Sequence, residues 1–78
     1  MNIKIYGTEP CNFCYKAREL AANHGLEFEY YDIGQGSKLV EFGNLFPQAK
    51  TVPQITVNGV WVGGYEAFKK FLEESDTL

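Results

Sequence analysis

Cys11 and Cys14, the only two cysteines, stand three residues apart where an alternating segment, Ile3-Lys4-Ile5-Tyr6, passes through Gly7 to Pro10 into a run with helical spacing. Residues three apart on a helix share a face, and their Cα atoms fall within the window a disulfide needs, so a bridge can close and reopen with little backbone movement. If Cys11 opens the helix, free backbone N–H groups and the positive dipole end stabilise its thiolate, which can bring a thiol pKa from about 8.5 into the range ~3.5 to 7.5. At a pKa of roughly 6, about nine thiols in ten are ionised at neutral pH, enough to make a reagent. Other readings of the pair stay open. A permanent staple closing so short a loop removes little chain entropy. Zinc wants four ligands, and the other soft candidate, His24, would lie about 15 Å along an unbroken helix. Two inert buried thiols are a third possibility, but C-x-x-C after a strand in a short α/β pattern favours redox chemistry.

Seventy-eight residues provide one domain, 1–78, with a core just large enough to fold alone. Met1 is not followed by a basic and then apolar leader, and no apolar run approaches about 18 residues, so neither secretion nor membrane insertion is expected. The expected location is cytoplasmic, where a C-x-x-C pair cycles instead of staying oxidised. Seven Lys and Arg against ten Asp and Glu give a net charge of −3, which argues against nucleic acid as a partner.

Phe13, Ala17, Leu20 and Ala21, with Cys14 on the same side, form an apolar stripe that should end near His24-Gly25, where glycine suits the left-handed position after a helix. Leu26, Phe28 and Tyr30 alternate with Glu27, Glu29 and Tyr31 as a second strand. Gly34 to Ser37 reads as a turn, with Ser37 an N-cap. Leu39, Phe42 and Leu45 or Phe46 then line a second helix, weakened by Gly43 and ended near Pro47. Pro53 to Val57, Asn58-Gly59, and Val60-Trp61-Val62 spell a hairpin, because Asn-Gly supplies the two positive-φ residues of a type I′ turn. After Gly63-Gly64, Phe68, Phe71 and Leu72 mark a C-terminal amphipathic helix, with Glu73 to Leu78 expected to fray. The order β-α-β-α-β-β-α implies an α/β fold with a four-stranded mixed sheet and helices on both faces: the first βαβ unit crosses over right-handedly and the last two strands run antiparallel.

Cys11-Asn12-Phe13-Cys14, Thr51-Val52-Pro53 before the hairpin and Gly63-Gly64 after it occur in an order and spacing that resemble the glutaredoxins, small proteins of thioredoxin-like fold, over nearly the whole chain. The resemblance implies that Cys11 is the nucleophile and Cys14 the resolving thiol. It further implies that Pro53 is cis, that the Val52 backbone pairs with the glutathione main chain, and that Lys50 meets a glutathione carboxylate. Gly64 would let backbone approach the ligand. Tyr65-Glu66 stand where the family usually has a small residue followed by Asp to grip the γ-glutamyl end, with Glu66 one methylene longer. Thr8 occupies a position where many glutaredoxins carry lysine, and Asn12-Phe13 replaces the common Pro-Tyr. Thiolate stabilisation then falls on the helix N-terminus, with Lys16 and Arg18 further along. Tyr6 and Phe13 either flank the sulfurs or serve as ordinary packing.

The activity this implies is glutathione-dependent thiol-disulfide exchange by a monomer, with glutathione as co-substrate, disulfide-containing proteins as partners, and no cofactor or metal. An alternative is a redoxin recharged by thioredoxin reductase that feeds electrons to ribonucleotide reductase, since Trp61-Val62-Gly63-Gly64-Tyr65 partly matches a Trp-Ser-Gly-Phe segment of those proteins. A third is a dimeric iron-sulfur carrier. The specialists in that role commonly carry Cys-Gly-Phe-Ser, so Cys14 argues against it.

Overall fold

β1 (Ile3–Gly7) runs through the interior of the sheet, pairing parallel with β2 (Phe28–Asp32) and antiparallel with β3 (Gln54–Val57), while β4 (Val60–Gly63) closes the other edge. The computed structural model describes residues 2–8, 11–34, 37–49 and 51–76. Helices α1 (Asn12–Asn23), α2 (Ser37–Leu45) and α3 (Tyr65–Asp76) complete the expected order β-α-β-α-β-β-α around a mixed sheet ordered β2-β1-β3-β4.

Alternation along β1 sends Ile3 and Ile5 to one face and Tyr6 to the other, so the strand feeds two cores. On the first face Ile3, Ile5, Ile55 and Val57 pack against Ala17 and Ala21 of α1 and Phe68 and Leu72 of α3. On the second, Tyr6, Ile33 and Phe46 are buried with Phe42 and Tyr31 against them, so α2 sits opposite α1 and α3. Aromatic rings are the main contact there: Tyr6 lies 5.1 Å from Tyr31 and 5.3 Å from Phe46, and Phe46 lies 5.2 Å from Trp61, centroid to centroid.

Two local signals act as expected. Gly25, at φ 71°, terminates α1: its N–H bonds Ala22 O at 2.9 Å and the Leu26 N–H bonds Ala21 O at 3.0 Å, the paired bonds of a Schellman cap. Asn58 and Gly59 take φ 54° and 83° to turn the hairpin. Beyond it Ile55 faces Gly63 while Thr56 faces Trp61, so β4 carries a bulge at Val62.

Several expectations are corrected. The buried line of α1 is Cys14, Ala17 and Ala21, and Phe13 is 50% exposed. Helical spacing alone allows either stripe, and packing against β1 selects the smaller side chains. α2 is helical from Ser37, whose side chain lies outside the described residues, and Phe46 is buried just past the helix end. β2 begins at Phe28, two residues later than Leu26: Leu26 and Glu27 form an irregular link between the Schellman cap and the strand. α3 continues through Asp76, beyond the expected fraying point at Glu73; Phe71 and Leu72 anchor its last turns to the core. Thr77 and Leu78 lie outside the described residues. No described helix is long and apolar enough to cross a membrane.

Candidate active site

Cys11 is the N-cap of α1 and not its first helical residue, with extended backbone at φ −153°, ψ 115°. Its Sγ accepts a hydrogen bond from the Cys14 N–H at 3.3 Å, and its carbonyl accepts from Tyr15 N–H at 3.1 Å. The sulfur therefore takes the place a serine or aspartate oxygen usually fills, on one of the N–H donors that a helix leaves unpaired. Both thiols are free; Cys11 is partly exposed, whereas Cys14 is fully buried.

Burial pushes the Cys14 thiol up to about 11, and its hydrogen bond with Cys11 and the charge of that neighbour add to the rise. A backbone bond from Thr8 and one from the Tyr30 hydroxyl oppose it. Gly7 makes this crowding possible: a Cβ there would lie 2.6 Å from Cys14 Sγ and 2.8 Å from the Tyr30 hydroxyl oxygen. That hydroxyl also donates to Thr8 O at 3.2 Å, and the Arg18 guanidinium lies over the Tyr30 ring, 4.2 Å from its centroid.

Beside the cysteine turn lies a groove of about 530 Å³. Thr51, Val52 and Pro53 form one wall, Gly64, Tyr65 and Glu66 the other, and Phe13 reaches in from the Cys11–Cys14 segment. The fold thus brings together Thr51, Val52, Pro53, Gly64, Tyr65 and Glu66, the segments that the family resemblance places at the ligand; the two cysteines adjoin the groove through Phe13 and do not line it. The Val52–Pro53 peptide is cis. At Gly64 the two walls come close together, since a Cβ there would meet Pro53 O at 3.3 Å. Glu66 is exposed in the first turn of α3. Lys50 lies outside the described residues.

Phe13 meets Tyr65 in a tilted ring contact with centroids 5.9 Å apart and carries Lys16 Nζ 5.2 Å over its ring, so it walls the groove instead of packing into the core. Tyr6 belongs to the aromatic core under α2. Gln54 was legible only as a strand residue. It is buried, donates from Nε2 to Thr51 O at 3.0 Å and accepts from Trp61 Nε1 at 2.8 Å, so it ties the Thr51–Pro53 wall to β4. Gly7 and Tyr30 were likewise missed as site residues, since contacts across the fold leave no short-range mark. Among the described residues no three His, Cys, Asp or Glu side chains gather as a metal site.

The family model Glutaredoxin matches residues 3–62. The chain is 33% identical over 64 residues to Glutaredoxin 3 of Escherichia coli K12, covering 81% of this chain and 76% of that protein. It is 31% identical over 70 residues to the hybrid peroxiredoxin hyPrx5 of Haemophilus influenzae, covering 90% of this chain and 29% of that one. The crystal structure of a buckwheat glutaredoxin-glutathione complex superposes with a TM-score of 0.79 at 17% identity, over 94% of this chain and 69% of that one, a likeness of fold. The chain spans less than half the length of several curated relatives it matches.

Proposed function

Because the chain belongs to the glutaredoxin family, a class of thiol-disulfide oxidoreductases, we propose that it is a glutathione-dependent reductase of protein disulfides and glutathione mixed disulfides. Cys11 attacks one sulfur of the substrate disulfide, and the other leaves as a thiol that takes up a proton. Cys14 then attacks Cys11 Sγ, forming the Cys11–Cys14 bond and releasing the second thiol. Two glutathiones supply the two electrons that restore the dithiol and emerge as glutathione disulfide, so the cycle calls for no cofactor.

The observation that carries this reading is the groove, which sets Val52 backbone, Gly64 and Glu66 around one concavity beside the cysteine turn. Glutathione offers a peptide main chain, two carboxylates and one ammonium. Val52 would pair with the main chain, Glu66 with the ammonium, and Lys50 with a carboxylate. The Phe13–Tyr65 ring pair would lie against the apolar part of the ligand.

The test is turnover of the mixed disulfide of glutathione and mercaptoethanol, recharged by glutathione and glutathione reductase. The expected result is activity that Cys11→Ser abolishes and Cys14→Ser retains. Turnover with thioredoxin reductase and none with glutathione would instead support an electron donor of the ribonucleotide-reductase type. A visible absorption band in protein purified without oxygen would support the iron-sulfur carrier.

A further inference from the structure

We propose that the Tyr30 hydroxyl is a positioning group for the resolving step: it holds Cys14 Sγ against the Gly7–Thr8 end of β1 and donates a hydrogen bond to that sulfur as it becomes the attacking thiolate. The inference rests on the reading of Cys14 as the resolving thiol and adds to it the group that makes so buried a sulfur usable.

The geometry has three parts. First, the Cys14 sulfur and the Tyr30 oxygen crowd the same point above Gly7, 2.6 and 2.8 Å from where a Cβ would stand, so only glycine leaves room for them to meet. Second, the phenol proton has two acceptors within reach, Thr8 O at 3.2 Å and the thiol sulfur. A neutral thiol is a weak acceptor and the carbonyl holds the proton; a thiolate is a strong one and draws it across. Third, the Arg18 guanidinium on the ring face polarises the phenol and makes it a better donor. The groups facing Cys14 are then Cys11 from the N-cap, Tyr30 from β2 and the Thr8 backbone just past the end of β1, with Arg18 acting through the ring. In the free dithiol Cys11 and burial oppose ionisation and the two hydrogen-bond donors favour it; in the mixed disulfide the Cys11 charge is gone, leaving burial against the two donors.

In the resolving step the Cys14 proton leaves with the departing thiol, the Cys14–Cys11 bond forms as the Cys11–substrate bond breaks, and Tyr30 keeps its own proton throughout. Losing one such donor should move the Cys14 titration up by about one pH unit. A less acidic thiolate is also a better nucleophile, with a Brønsted coefficient of about 0.4 to 0.5, so a roughly tenfold loss of thiolate becomes a three- to fourfold slower resolution.

The experiment prepares the Cys11–glutathione mixed disulfide and follows release of glutathione between pH 6 and 8 in the parent and in Tyr30→Phe, which keeps the ring under Arg18. Expected are a three- to fourfold slower release at each pH, an upward shift of the Cys14 Cβ carbon-13 titration, and unchanged alkylation of Cys11 by iodoacetamide. A purely structural role for Tyr30 would leave the Cys14 titration where it is. Equal release rates and equal titrations in parent and variant would overturn the inference while leaving Cys14 as the resolving thiol. A parent protein that never releases glutathione would overturn both.

Discussion

Cys14 links the chemistry of one residue to the stability of the fold. Its thiol is pushed from 9.0 to about 11 in the folded protein, so the folded state favours the protonated form. That contribution is present below about pH 9 and is lost as pH rises toward 11, where the unfolded chain has already released its proton. A rise of this size corresponds to about 3 kcal/mol. Urea titrations of the reduced protein should therefore show stability falling by about that amount over this interval, beyond any fall in Cys14→Ser. Coincident pH profiles for the two proteins would contradict the assignment. Gly7 is the second residue-scale dependency. Gly7→Ala places a methyl group on the Cys14 sulfur and should cost about 1 to 3 kcal/mol by overpacking. In a Cys14→Ala background the cost should shrink, with a coupling above roughly 0.5 kcal/mol in a double-mutant cycle. Additive effects would show that the methyl group is accommodated elsewhere.

At the scale of elements, α2 depends on few contacts. It faces the sheet through Phe42 and, one residue past its end, Phe46, and Gly43 in its middle lowers its intrinsic helicity by about 1 kcal/mol relative to alanine. Phe46 touches Tyr6, Phe42 and Trp61 and is 2% exposed. Phe46→Ala should cost about 3 kcal/mol, and amide exchange should accelerate in α2 more than in α1. Uniform acceleration across both helices would show that α2 does not open separately. α1 and α3 share the opposite core and carry the two ends of the site, Cys11 on one and Glu66 on the other. Movement of either helix would alter the groove.

The whole molecule builds the groove from segments distant in sequence: Phe13 at the start of α1, Thr51 to Pro53 ahead of β3, and Gly64 to Glu66 at the start of α3. A ligand spanning them binds the folded chain alone and must stabilise it. S-methylglutathione, which cannot exchange disulfides, should therefore raise Tm. At a concentration about 100-fold above Kd the gain is about 2.7 kcal/mol, or roughly 10 degrees or more for a domain of this size. Glu66→Gln and Lys50→Ala should each reduce that rise while leaving the unliganded Tm within about 2 degrees. No rise in the parent protein would show that the groove is not a glutathione site.

Short-range chemistry determined much of this protein from the sequence alone. Gly25 and Asn58-Gly59 punctuate the chain because they supply positive φ, period-two and period-3.6 apolar spacing names the strands and helices, and a three-residue interval fits two cysteines to one turn. The motifs around Pro53 and Gly64 pointed to the groove walls. Tertiary structure alone decided which sulfur is buried, why residue 7 must be glycine, and that a tyrosine 22 residues from Thr8 bonds its carbonyl. It also decided that Gln54 braces the Thr51–Pro53 wall. The physical reason is range: turn and helix preferences act over a few neighbours, whereas desolvation and hydrogen bonding to a buried thiol depend on which strands and helices pack around it.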